Sequence, residues 1–128
     1  MPKLRLSIRL DLANGKHIGP GKIALLEAIR SKGSITIAAQ HLGMSYRRAW
    51  LLVQSINDAL QHPAVTTSIG GRHGSSSATV TSVGEEVIKL YHSIEGRTHT
   101  SAHQEFLAIA GLSRRKKGAR SYSSKRIR

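Results

Sequence analysis

Three sets of side chains in this 128-residue sequence are of types that do chemistry. The first is the run Gly15-Lys-His-Ile-Gly-Pro-Gly21-Lys22, which has the outline of a phosphate-cradling loop. That loop needs glycine at 16 and serine or threonine at 23, where Lys16 and Ile23 stand, so it is excluded as a nucleotide site. The second set is histidine. His99 and His103 are spaced to share a metal on a helix, and His92 would join them on an unbroken one. Gly96 is expected to interrupt that helix, and only Glu95 and Glu105 lie nearby as carboxylates, so these read as surface histidines. The acids are scattered, and the Glu85-Glu86 pair suits the positive end of a helix dipole. No catalytic constellation, cofactor site or metal site emerges, and the chain reads as a binding protein rather than an enzyme.

The third set is Arg47 and Arg48, and here position gives the chemistry. On a helix over about 46–60, Ala49, Val53, Ile56 and Leu60 share one side, with Tyr46, Trp50 and Leu52 at its margins. Arg47, Gln54 and Asp58 lie opposite, flanked by Arg48 and Ser55, with Leu51 among them. A solvated helix rarely places leucine on its polar face. Cations with one apolar group near the helix start suit phosphates, guanine edges and thymine methyls.

Charge points the same way. The formal net charge is +13, unevenly distributed. Residues 1–112 carry 12 Lys/Arg against 7 Asp/Glu, whereas residues 113–128 add 8 Lys/Arg and no acid. We expect one domain over 1–112 and a basic, disordered tail over 113–128 that strengthens nucleic-acid binding without reading sequence. There is no cysteine, no apolar run long enough for a membrane span and no signal-peptide core, which together suggest a cytoplasmic protein.

The elements that must hold these side chains can be read in order. Leu4, Leu6, Ile8, Leu10 and Leu12 alternate with polar residues, which predicts a half-buried strand over 3–12. Asn14-Gly15 predicts a hairpin turn with a short return strand at 16–18. After Gly19-Pro20-Gly21 a helix carries Ile23, Leu25, Leu26 and Ile29 and ends at Gly33. Ser34 caps a second helix that stops at Gly43, and Ser45 caps the helix bearing the arginines. Pro63 ends it. Two β-branched strands follow, 65–69 and 78–83, joined by a glycine- and serine-rich loop holding Arg72 and His73. From Gly84 a helix carries Val87, Leu90, Tyr91 and Ile94, with another piece at about 101–112. The expected fold is α+β, mainly α: a winged helix-turn-helix with an N-terminal β-hairpin and a C-terminal dimerisation helix.

Ile8-Arg-Leu-Asp, Ile23-Ala-Leu-Leu-Glu-Ala-Ile, Gly33-Ser-Ile, Ala38-Ala, Met44-Ser-Tyr-Arg-Arg-Ala-Trp50, Asn57, Gly70-Gly71 and Thr81-x-x-Gly84 carry a family signature. Over roughly residues 5–110 the chain resembles the N-terminal DNA-binding domain of ModE-type molybdate-responsive transcription regulators, itself similar to the LysR winged helix-turn-helix. The resemblance implies major-groove contacts by Ser45, Tyr46, Arg47 and Arg48, extended on the same face by Leu51 and Gln54. It implies backbone contacts by the wing residues Gly71, Arg72, His73 and Gly74, and a core position for Trp50. It also implies a homodimer built on the N-terminal strand (Leu4, Leu6, Ile8, Leu10) and the helix after the wing (Val87, Leu90, Tyr91, Ile94). Family members that sense molybdate carry further oxyanion-binding domains. After residue 112 only the basic tail follows here, so no molybdate site is expected.

The expected function is a homodimeric regulator that binds duplex DNA sequence-specifically. Two other classes fit the same residues. One is a non-specific DNA-compacting protein dominated by its tail, and the other is a winged-helix module that docks proteins.

Overall fold

The computed structural model describes residues 4–69 and 76–114. The wing tip at 70–75 and the tail from 115 onward lie outside the described residues. The chain divides into two compact units, Ser7–Glu95 and a second formed by Met1–Leu6 with Gly96–Arg128.

The larger unit begins with a minimal hairpin, β1 (Leu10–Asp11) and β2 (His17–Ile18), paired antiparallel. Gly15 turns it at φ 87°, a left-handed conformation that glycine reaches without a Cβ clash. The strand expected over 3–12 is thus reduced to two paired residues. The return strand is short: helix α1 (Pro20–Lys32) begins two residues after Ile18, so β2 reaches only as far as Leu10 and Asp11.

Helix α1 ends at Gly33 in the left-handed conformation, and the Gly33 N–H closes on the Ile29 carbonyl at 2.8 Å. Ser34 then caps α2 (Ile35–Leu42) by accepting from the Ile37 N–H. Gly43, again left-handed, ends α2, and Ser45 caps α3 (Tyr46–Ala59) by accepting from the Arg48 N–H. All four stop and start signals fall where local chemistry dictates.

The core joins α1 (Leu25, Leu26, Ile29), α2 (Ala38, Ala39), α3 (Ala49, Val53, Ile56) and the base of the wing (Val65, Ala78). Burying each large apolar side chain contributes about 1.5–3 kcal/mol. Ala38 and Ala49, both fully buried, allow the helix backbones to approach closely.

The wing is β3 (Val65–Ile69) paired antiparallel with β4 (Ser76–Val80), from Val65 opposite Val80 to Ile69 opposite Ser76. It is fastened to the helices at its base. The Ala78 N–H donates to the Gly33 carbonyl at the end of α1 at 3.0 Å, and within the wing itself the Thr81 N–H closes the base on the Ala64 carbonyl at 2.9 Å. The fold is a winged helix-turn-helix.

Helix α4 (Ser82–Ser101) starts two residues before the expected Gly84, because the Thr81 hydroxyl accepts from the Gly84 N–H at its first turn. It also runs through Gly96 without a break. A helical glycine costs about 1 kcal/mol relative to alanine, too little to end a helix whose backbone bonds continue on either side. The interruption falls at Ala102 instead, and α5 (His103–Leu112) follows. In this smaller unit the His99 ring lies 5.9 Å from His103 and 5.3 Å from Phe106, a ring cluster on successive helical turns.

Candidate nucleic-acid interface

Helix α3 is anchored by one side and presents the other. Ala49, Val53 and Ile56 are buried, whereas Ser45, Tyr46, Arg47, Arg48 and Leu51 are exposed and Gln54 is half-buried. Leu51, at 48% exposure, is the apolar group on the polar face that the sequence pattern marked. Ser45, Arg47, Arg48, Leu51 and Leu52 line a shallow cleft of about 270 Å³ along the start of the helix. Ser45 has a local task as well: its hydroxyl holds the Arg48 N–H at 3.1 Å and so fixes the first turn.

Trp50 is not in the core. It is 42% exposed, one helical position from the arginine face. Its place on the wheel is marginal, and the buried side is already filled by residues no larger than isoleucine.

Two contacts missed in the sequence fix α3 against the N-terminal hairpin. Asn14 Nδ2 donates to the Ala59 carbonyl at 3.0 Å, which satisfies an acceptor left open at the helix end. Lys22 lies buried, its ammonium donating to the His17 carbonyl at 2.8 Å and to Ser55 Oγ at 2.9 Å. Burial, followed by the nearby cations Lys16 and Arg9, holds the Lys22 pKa below its ordinary value. The only sequence signal was a lysine in the first turn of a helix whose other positions there are glycine and proline.

A third contact ties α3 to the wing through Asn57. Its Oδ1 accepts from the Ala64 and Val65 N–H groups at 2.8 and 3.1 Å, and its Nδ2 donates to the Val65 carbonyl at 3.0 Å. The wing residues expected to touch a partner, Gly71, Arg72, His73 and Gly74, lie outside the described residues.

The residues named for self-association separate into two kinds. Tyr91 is buried, and its hydroxyl donates to the Ile8 carbonyl at 2.6 Å, so it belongs to the chain's own core. Burial, with a smaller contribution from Glu95, pushes the phenol above its ordinary pKa and keeps it a donor. Ile8, Leu10 and Val87 are also packed in part against that core. Leu6 is half-buried, and Leu4, Leu90 and Ile94 remain exposed. The alternation persists in burial from Leu6 to Leu12, with Ile8, Leu10 and Leu12 packed against this chain's own core and Leu4 left exposed.

The histidines also separate. His92 is held on both nitrogens, by Glu27 at 2.6 Å and Glu95 at 2.8 Å. Among the described residues no group of three or more ligating side chains gathers around a metal position. No helix among them is long and apolar enough to cross a membrane.

No family model matches the chain. Individual relatives do. It is 43% identical over 81 residues to the "Molybdenum-pterin-binding protein MopB" of Rhodobacter capsulatus, covering 63% of this chain and 30% of that protein. It is 33% identical over 91 residues to the "Molybdenum transport protein ModE" of Azotobacter vinelandii, covering 71% and 33%. The chain is a homologue of the ModE-type regulators. Against the "DNA-binding transcriptional dual regulator ModE" of Escherichia coli K12 the identity is 36% over 84 residues, covering 66% and 32%. The chain thus spans about a third of the length of the curated ModE-type relatives it matches.

Proposed function

We propose that the chain is a DNA-binding regulator of transcription that acts as a homodimer, with α3 in the major groove and the wing on the phosphate backbone. The observation that carries this reading is the outward face of α3. Tyr46, Arg47, Arg48 and Leu51 project from a helix whose opposite side is locked by Ala49, Val53 and Ile56. A rigid helix with cations at its exposed N-terminal end matches the way helix-turn-helix proteins meet base edges. The relatives named as regulators support the same role.

In this reading Arg47, at the centre of the face, reads a base, and Arg48, at its edge, meets a phosphate. Leu90 and Ile94 on α4 supply exposed apolar contacts between two copies, and the DNA site is an inverted repeat with half-sites about 34 Å apart.

The test is site selection from a random duplex pool, followed by competition with single-base variants of the selected site. Arg47→Ala should cost about 1–3 kcal/mol and relax preference at one base pair. Arg48→Ala should weaken all sequences alike. Failure to enrich any sequence, with equal affinity for every duplex, would replace this reading with non-specific DNA compaction.

A further inference from the structure

The Gly15–Lys22 run that fails as a nucleotide loop reappears in the fold as the wall of a second cleft. Arg9, His17, Gly21, Lys22 and Arg48 line it, with a volume of about 260 Å³. Arg48 and Leu52 belong to this cleft and also to the one along α3, so the two are continuous around the edge of the recognition helix. We propose that this cleft is a phosphate-binding site that seats the DNA strand beside the groove occupied by α3, extending the interface onto the N-terminal hairpin and the start of α1. The proposal rests on the DNA-binding reading above and adds a contact surface to it.

Several independent features converge on an oxyanion. Three elements bring cations to one place: Arg9 from the segment before β1, Lys22 from α1 and Arg48 from α3. Of the three protons on the Lys22 ammonium, the described partners His17 and Ser55 take two. At the start of α1 the cap residue is Gly19, which has no side-chain oxygen to offer, and Pro20 has no N–H. Among the described residues the Gly21 and Lys22 N–H groups have no acceptor, and they stand at the positive end of a 13-residue helix. Gly21 is exposed, and a Cβ there would meet nothing within 4 Å, so this side of the helix start is open.

One opposing charge lies close by. Asp11 Oδ1 accepts from Arg9 Nε at 2.8 Å, which leaves the terminal guanidinium nitrogens of Arg9 for a ligand. The balance in the cleft is nevertheless positive. Lys22 and then Arg9 hold the His17 pKa below its ordinary value, against the weaker opposite effect of Asp11. A bound phosphate would reverse that field, which makes the His17 ring a local reporter of occupancy.

The experiment uses the full chain. Affinity for a duplex is measured against salt for the wild type, Arg9→Gln and Asp11→Asn, with Arg47→Ala as a control. Arg9 and Asp11 are exposed, and unchanged thermal melting checks that both variants fold. The expected result is a slope of log affinity against log salt reduced by about 0.9 in Arg9→Gln, equally for all sequences. Asp11→Asn should bind more tightly. The duplex should also move the His17 ring resonances, and inorganic phosphate at the same concentration should not. If Arg9→Gln keeps the wild-type slope and the duplex leaves His17 unmoved while Arg47→Ala still weakens binding, the cleft assignment fails and the DNA reading stands. If none of the variants changes binding, the DNA reading fails with it. If inorganic phosphate moves His17 as far as duplex does and the slope is unaltered, the site takes a free oxyanion and the backbone assignment is overturned.

Discussion

Asn57 on α3 is bound in both directions to Val65, the first residue of the wing, accepting from its N–H at 3.1 Å and donating to its carbonyl at 3.0 Å. With the added bond from the Ala64 N–H, one carboxamide sets the distance and angle between recognition helix and wing. Among the described residues the wing strands pair only with each other, so this side chain and the Gly33 carbonyl help fix where the hairpin points.

Asn57→Ala should therefore destabilise the chain by about 2–3 kcal/mol, because it leaves part-buried backbone groups without partners. Asn57→Asp keeps the acceptor for both N–H groups but turns an oxygen toward the Val65 carbonyl in place of the donor, so it should cost about 1–2 kcal/mol. Urea unfolding of both variants checks the ranking. In the folded Ala variant DNA affinity should also fall, since the wing is no longer held to α3.

Gly84 makes a second demand on the same junction. A Cβ there would sit 2.5 Å from the Ala64 carbonyl oxygen and 2.6 Å from Val80 Cγ1. The nearer obstacle is backbone, which cannot rotate away. Gly84→Ala should cost about 1–3 kcal/mol despite alanine's better helix propensity. Gly96→Ala, with nothing within 4 Å, should instead be neutral or stabilising by up to about 1 kcal/mol. In thermal melts Gly84→Ala should fall below wild type, and Gly96→Ala should match or exceed it.

His92 makes stability depend on pH. Hydrogen bonds donated to the Glu27 and then the Glu95 carboxylate raise its pKa above the ordinary 6.5, with burial opposing them. A base whose folded pKa is raised stabilises the fold fully below its unfolded pKa. That stabilisation is lost as pH climbs from about 6.5 through the folded value. The melting temperature should accordingly fall across this window, and His92→Gln should flatten the fall. A wild-type profile with no slope above pH 6.5 would contradict the assignment. The ring is about half exposed, so the effect should be small.

The proposed dimer is tested on α4. Leu90 and Ile94, 51% and 38% exposed, lie on successive turns. Leu90→Glu and Ile94→Glu should leave monomer stability within about 0.5 kcal/mol of wild type, as exposed substitutions do. In sedimentation the wild type should be a dimer and the double variant a monomer. Tyr91→Phe separates core from interface: it should lower stability through the lost bond to Ile8 and leave the oligomeric state unchanged.

The order of elements was legible in the sequence because its signals act within a few residues. Ser34 and Ser45 cap, and Gly33 and Gly43 stop helices, through bonds to atoms three or four residues away. The polar face of α3 was equally legible, since a helix fixes side-chain direction by spacing alone. What a residue meets across the fold was not. The alternation over 3–12 fitted a strand but could not reveal that only residues 10–11 would find a partner. Tyr91 and Leu90 read as one stripe, yet tertiary packing buries the first against Ile8 and leaves the second exposed. Trp50 is apolar but sits at the margin of the buried face, and packing left it 42% exposed. Arg9, Lys22 and Arg48 are separated by 13 and 26 residues along the chain, so no local pattern joins them, and only the docking of the hairpin, α1 and α3 brings them to one cleft. Backbone preference and capping are short-range and written in neighbouring residues. Burial and electrostatic fields are sums over whatever the fold brings near, and those were settled only when the helices packed.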